Sequence, residues 1–189
     1  NLDLYTHVID WREMKDLQLS FFKASVANAD TPTDHAFTWV AYTQAAKYGI
    51  KYILSGANSV TESVLPSAWG YDSADAKHLK AVQKQFGRVK LKTYPAMGLV
   101  KRNLWYPEVR HIRTIPLLNY LPYVPEVAKR AIADELSWRD YGGKHYESIF
   151  TRWFQGFYLP RRFGFDKRLA HYSSLILAGE MSRDEALAL

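Results

Sequence analysis

The chain has 189 residues, with 25 Lys and Arg against 19 Asp and Glu and no cysteine. That length can bury one sizeable core, and 48% apolar with 15% aromatic residues excludes a disordered chain. Lack of cysteine excludes a disulfide framework, a thiolate metal site and a cysteine nucleophile, and suits the reducing cytoplasm, where we expect the protein. A formal charge of +6 favours anionic partners such as a nucleotide, a nucleotide-sugar, a nucleic acid or a membrane face. No apolar run reaches the roughly 20 residues of a membrane span, so no membrane is expected among the partners. Asn1–Tyr5 carries no mark of a secretory signal.

In chain order, Leu4–Ile9 reads as a buried strand, and Asp10 with Glu13 as a capping box for a helix whose core stripe is Met14, Leu17, Phe21 and Phe22. Pro32 and Thr33 break the chain, and Thr33 or Asp34 caps a second helix ending at Gly49. Lys51–Leu54 is a short strand running into Ser55-Gly56-Ala57-Asn58. Strand, helices and strand form a crossover, which implies a parallel sheet with helices on its faces. A helix is expected over 74–86, a strand over 89–93 and another over 109–118, with Pro116 near an edge. From Pro125 onward the pattern is helical: 125–136, 144–158, 167–178 up to Gly179, and a last helix opened by Ser182 with Glu185 as a capping box. The fold class is therefore α/β, a partial doubly wound parallel sheet over 1–118 followed by a helical region over 119–189.

Four groups of residues carry candidate chemistry. Ser55, Gly56, Asn58, Thr61 and Glu62 leave the carboxyl end of a parallel strand, where open α/β sheets bind ligands; an ordinary polar turn is the alternative. From Arg139 to His171 there are seven Lys and Arg against three acids, gathered around helix starts as an anion-binding protein would place them. Here Gly142 and Gly143 precede Lys144, Ser148 and Arg152, which are spaced to share one helix face and hold phosphates, or merely to form a solvated stripe. Asp166 suits an N-cap, while Lys167 and Arg168 in the next turn oppose the helix dipole unless an anion lies between them, with His171 on the same face. Asp34 and His35 could bind substrate or relay a proton, or be a capping Asp beside an exposed His. Trp69-Gly70-Tyr71-Asp72 offers a sugar platform or a packed turn. No metal-ligand spacing, G-x-x-x-x-G-K-[ST], G-x-G-x-x-G or S-G-G-x-D-S occurs.

Tyr5-Thr6-His7-Val8-Ile9-Asp10-Trp11, Ile53–Asn58 through Thr61-Glu62-Ser63, Trp69-Gly70-Tyr71, Gly142–Arg152 and Phe165–Arg168 together resemble the N-acetyl sugar amidotransferases. These belong to the ATP-pyrophosphatase (PP-loop) superfamily of adenine nucleotide alpha hydrolase-like folds and serve lipopolysaccharide O-antigen and pseudaminic-acid-type pathways. The resemblance implies ATP and Mg²⁺, a nucleotide-linked acetamido sugar as substrate, and glutamine amidotransferase subunits supplying ammonia. It implies Ser55, Gly56, Asn58, Thr61 and Glu62 at the ATP site, with Lys167 and Arg168. Lys144, His145 and Arg152 become catalytic ligands of phosphate or the substrate anion, and Asp34, His35, Tyr71, Glu147 and His171 contact substrate. The family's S-G-G-x-D-S loop and a cysteine-containing segment would lie upstream, so a fragment, split-gene product or degenerate member is expected. A tRNA-modifying PP-loop enzyme and a non-catalytic subunit completing its site with another chain are the alternatives, and a homo-oligomer is a separate option.

Overall fold

Asp10 starts the first helix: its carboxylate accepts the N–H groups of Arg12 (2.8 Å) and Glu13 (3.3 Å), and α1 follows over Trp11–Lys23. The structure is a computed structural model and describes residues 3–142, 146 and 148–189. Leu17 and Phe21, one helical turn apart, are fully buried, and α4 (Ala76–Phe86) packs its Leu79 and Val82 into the same layer. Glu13 does not complete the expected capping box. Its carboxylate instead accepts N–H groups from Lys92 (2.9 Å), Thr93 (3.0 Å) and Tyr94 (2.8 Å). Asp16 does the same for Arg88 (2.8 Å) and Val89 (2.9 Å), and for the Gln83 amide at 2.6 Å.

Those carboxylates explain why 89–93 is not the expected strand: side chains, rather than a neighbouring strand, take its backbone donors. Burial opposes charge on both acids, yet the backbone bonds prevail and hold each pKa below its ordinary value. Residues 4–9 are not a strand either. No described strand runs beside them, and Leu4 and Val8 are 93% and 85% exposed rather than buried.

The second helix, α2, spans Thr31–Lys47 and begins earlier than expected, with Pro32 inside its first turn, where a missing N–H costs nothing. Gly49 ends it at a left-handed φ of +70°. β1 (Tyr52–Ser55) pairs in parallel with β2 (Arg113–Pro116), and the Arg113 N–H donates to the Lys51 carbonyl at 2.9 Å. The front of the expected 109–118 strand is taken by a π-helical run over Lys101–Val109, whose wide winding accommodates Pro107. Two strands are what the described residues show of a sheet.

The chain divides into two units, Asn1–Ile53 with Gly70–Thr114, and Leu54–Trp69 with Ile115–Leu189. The expected helical region 119–189 falls in the second, which also recruits 54–69. In the first, Ala45, Met97, Tyr106 and Ile112 form a buried cluster flanked by Trp39, Tyr42, Ala46 and Ile53.

The second unit holds α3 (Ser59–Glu62), α5 (Pro125–Leu136), α6 (Ile149–Trp153), α7 (Leu159–Phe163), α8 (Lys167–Ala178) and α9 (Arg183–Leu187). α9 has the expected Ser182/Glu185 capping box. The helix expected over 144–158 instead starts at Ile149, because the Ser148 hydroxyl caps the Thr151 N–H (3.1 Å), and runs through a π turn at Phe154–Tyr158 into α7. Ser148 is thus the cap and Arg152 a member of α6, while Lys144, expected on one face with them, lies outside the described residues. Rings in contact from Phe150 to Phe154, Tyr158, Phe163, Phe165 and Trp69, at centroid spacings of 5.0–6.0 Å, form a continuous ladder in this unit. Phe165 directly precedes Asp166, so the ladder fixes where α8 begins.

Candidate functional site

The loop after β1 launches α3. Ser55 Oγ accepts the Ala57 N–H at 3.1 Å, and Asn58 Oδ1 accepts the Thr61 N–H (2.9 Å) and hydroxyl (3.1 Å). Asn58 is thus an N-cap, 8% exposed, rather than a ligand-presenting side chain. A Cβ on Gly56 would meet nothing within 4 Å, so packing does not demand glycine there. What this loop delivers is the pair Thr61 and Glu62.

α3 is fastened to α8. The Val64 N–H donates to Ser174 Oγ (2.9 Å), which donates to the Ala170 carbonyl (3.0 Å), and Ser174 is fully buried. His171 Nδ1–H donates to the Thr61 carbonyl at 3.1 Å, which sets the orientation of the ring. Between these elements and α6 lies a cavity of about 560 Å³. It gathers Thr61, Glu62, Arg152, Lys167, Arg168 and His171, six of the candidate residues, around one volume.

Its electrostatics are set by three cations against two acids, Glu62 and Asp166. Asp166 caps α8 through the Arg168 N–H (3.0 Å) and holds the Arg168 guanidinium with Nε at 3.1 Å and Nη2 at 2.7 Å. Those bonds keep the Asp166 carboxyl below the usual carboxylate range. Part of the cationic cost at this helix start is thereby offset by the cap itself. The Arg152 guanidinium lies over the Tyr146 ring, 4.7 Å from its centroid. Rings and hydroxyls of Tyr146 and Tyr172 with clustered cations suit an anionic, ring-bearing ligand, in a volume within the range of small-molecule sites.

The remaining candidates lie elsewhere. Lys144, His145 and Glu147 are outside the described residues. Asp34 is exposed on α2, in the first unit. His35 is a core residue, 1% exposed: Nδ1–H donates to the Ser73 carbonyl (2.8 Å) and Nε2 accepts the Met97 N–H (2.8 Å). With both ring nitrogens used inside the unit, it has no atom for substrate, and the expectation of a substrate contact is corrected. Burial pushes its pKa down, so it is held neutral. Its contribution to stability is complete above the unfolded value near 6.5 and lost as pH falls through the lower folded value. Urea-unfolding midpoints should therefore drop from about pH 7 to about pH 5, and His35→Gln should flatten that slope. Tyr71 donates its hydroxyl to Asp75 (2.8 Å) and sets its ring edgewise on His78, while Asp72 pairs with Arg102 at 3.2 Å. Trp69 stacks on Phe165, so its ring is engaged in packing, whereas Tyr71 keeps 57% of its surface exposed.

Sequence reasoning passed over Gln155, Gly156 and Tyr172, which line the cavity. Helical spacing carried the clue: Gln155 follows Arg152 by three residues, and Tyr172 follows Arg168 by four.

Residues 147–189 match the family described as LPS biosynthesis protein WbpG-like, C-terminal domain. This WbpG-like segment supplies Arg152, Asp166, Lys167, Arg168 and His171, while Thr61 and Glu62 come from outside it. No curated protein and no solved structure matches the chain.

Proposed function

We propose that the chain serves lipopolysaccharide biosynthesis as an ATP-dependent amidotransferase, converting the acetamido group of a nucleotide-linked sugar to an acetamidino group. In that reaction the acetamido oxygen bonds to the α-phosphorus of ATP as pyrophosphate leaves. Ammonia, from a glutamine amidotransferase partner, then adds to the imidate carbon, and AMP departs with the oxygen. The observation that carries the reading is the gathering of Arg152, Lys167 and Arg168 with Thr61, Glu62 and His171 around one cavity. Charge develops on the α-phosphate and on pyrophosphate, and positioned cations are what lower that barrier. Mg²⁺ would ride on the phosphates with Glu62 as protein carboxylate, a mode that needs one or two acidic ligands. The WbpG-like match over 147–189 supports the pathway, and the resemblance of 53–63 and 142–152 to N-acetyl sugar amidotransferases supports the chemistry.

Gly156 gives a direct test. It lines the cavity, and a Cβ there would meet nothing within 4 Å, so a large side chain would project into open space. Gly156→Phe should weaken ATP and nucleotide-sugar binding at least about tenfold in calorimetric titration, with the thermal midpoint unchanged. In a version carrying the S-G-G-x-D-S loop, pyrophosphate release should require both the acetamido nucleotide-sugar and ammonia. Release that no such sugar stimulates refutes the proposal.

A further inference from the structure

Between residues 76 and 107 the chain carries eight Lys and Arg (77, 80, 84, 88, 90, 92, 101 and 102) and no Asp or Glu. Lys77, Lys80 and Lys84 are spaced i, i+3 and i+7 on α4, opposite the buried Leu79, Val82 and Gln83, and all three are exposed. Past the helix, Arg88, Lys90 and Lys92 alternate with Val89 and Leu91 and are exposed as well. That stretch is held in place: Asp16 binds the N–H groups of residues 88 and 89, and Glu13 those of 92, 93 and 94. The nearest acids thus serve backbone donors, and none of these six cations forms an ion pair with a described residue. Arg88, Lys90 and Lys92 join Arg12 around a shallow concavity of about 400 Å³, where Asp10, 3.9 Å from the Arg12 guanidinium, and Glu13 also lie, leaving four cations against two acids.

We propose that this face, α4 with residues 88–92, docks the protein on the phosphate headgroups of an anionic phospholipid bilayer. An array of fixed cations meets a sheet of phosphates by charge alone, and each Lys or Arg near such a surface adds attraction that salt screens. Single-stranded RNA, the competing polyanion, is gripped by successive bases stacked on exposed rings. Within 77–94 the rings of Phe86 and Tyr94 are half-buried and buried, and the Tyr94 hydroxyl donates to the Pro32 carbonyl at 2.6 Å. No membrane was expected above because no apolar run could span one. Among the described residues no helix is long and apolar enough to cross a bilayer, but surface docking needs none. This inference concerns the first unit and does not depend on the proposed reaction.

The test is co-sedimentation of the chain with vesicles of phosphatidylglycerol and phosphatidylcholine in equal parts, against phosphatidylcholine alone. Binding should need phosphatidylglycerol and weaken at least about tenfold from about 0.1 M to about 0.5 M salt. Lys80→Glu/Lys84→Glu and Lys90→Glu/Lys92→Glu should each lower vesicle affinity at least about tenfold. Lys47→Glu/Lys51→Glu, the same charge change in the first unit but outside α4 and 88–92, should lower it by less than about threefold. Circular dichroism confirms that each variant is folded, and Lys→Gln pairs replace any that is not. Binding indifferent to lipid charge, equal loss in the off-face variant, or full displacement from vesicles by sub-stoichiometric tRNA would each overturn the proposal.

Discussion

Replacing Arg152 and Lys167 together by glutamine should cut ATP affinity on the order of 10²- to 10⁴-fold, since each charge-assisted contact to phosphate is worth about 1.5–3 kcal/mol. Asp166→Asn should do the reverse. Asparagine still caps α8, but the variant releases the Arg168 guanidinium, which now has Nη2 only 2.7 Å from the carboxylate. It also removes a negative charge from the cavity wall. We expect about a three- to tenfold gain in ATP affinity from that single change. Calorimetric titration of the chain and the variants reads both signs in one experiment. Asp166→Asn binding more weakly than the parent, with α8 intact, would mean that the cations of this cavity do not face phosphate.

Glu13→Ala should be strongly damaging to the first unit. It leaves the N–H groups of Lys92, Thr93 and Tyr94 without the acceptor that now holds them at 2.8–3.0 Å. Hydrogen bonds to a charged group contribute about 1.5–3 kcal/mol each, water can replace them at the exposed Lys92 and Thr93, and the buried Tyr94 N–H is costly to orphan, so a loss of about 3–4 kcal/mol is expected in urea unfolding. The pH dependence follows the sign of the shift. Although burial opposes its charge, Glu13 is held below its ordinary value near 4.5 by those N–H groups. Its stabilisation is therefore present above that value and lost as pH falls through the lower folded value. Glu13→Gln should remove that acid-side slope while leaving the separate His35 slope nearer neutrality. An unchanged acid-side slope in Glu13→Gln would show that the 92–94 segment is held by something else.

Local chemistry made much of this chain legible. Asp10, Asp166, Ser182 and Gly179 mark the helix ends they were expected to mark, because a cap is a contact between residues two to four apart. What escaped was decided by partners distant in sequence. The 89–93 segment alternates as a strand would, but Glu13 and Asp16, over 70 residues earlier, take its N–H groups. His35 looked like a reactive neighbour of Asp34, yet Ser73 and Met97 claim both its nitrogens. At the site, Thr61, Glu62, Arg152, Lys167, Arg168 and His171 were legible as residue types at helix starts, and the cavity brings them together. Asn58 was misjudged because an Asn that caps a four-residue helix reads like one that offers itself to a ligand. The denser cationic stretch, 77–102, was countable in the sequence.

The bond from Val64 to Ser174 joins positions 110 residues apart, and it belongs to the wall that carries Thr61 and Glu62. On a ribosome, Thr61, Val64 and Trp69 must wait for the segment that carries Phe165, His171 and Ser174 before they meet these partners. Ligand recognition should therefore be among the last properties a nascent or refolding chain acquires, lagging behind the recovery of helicity.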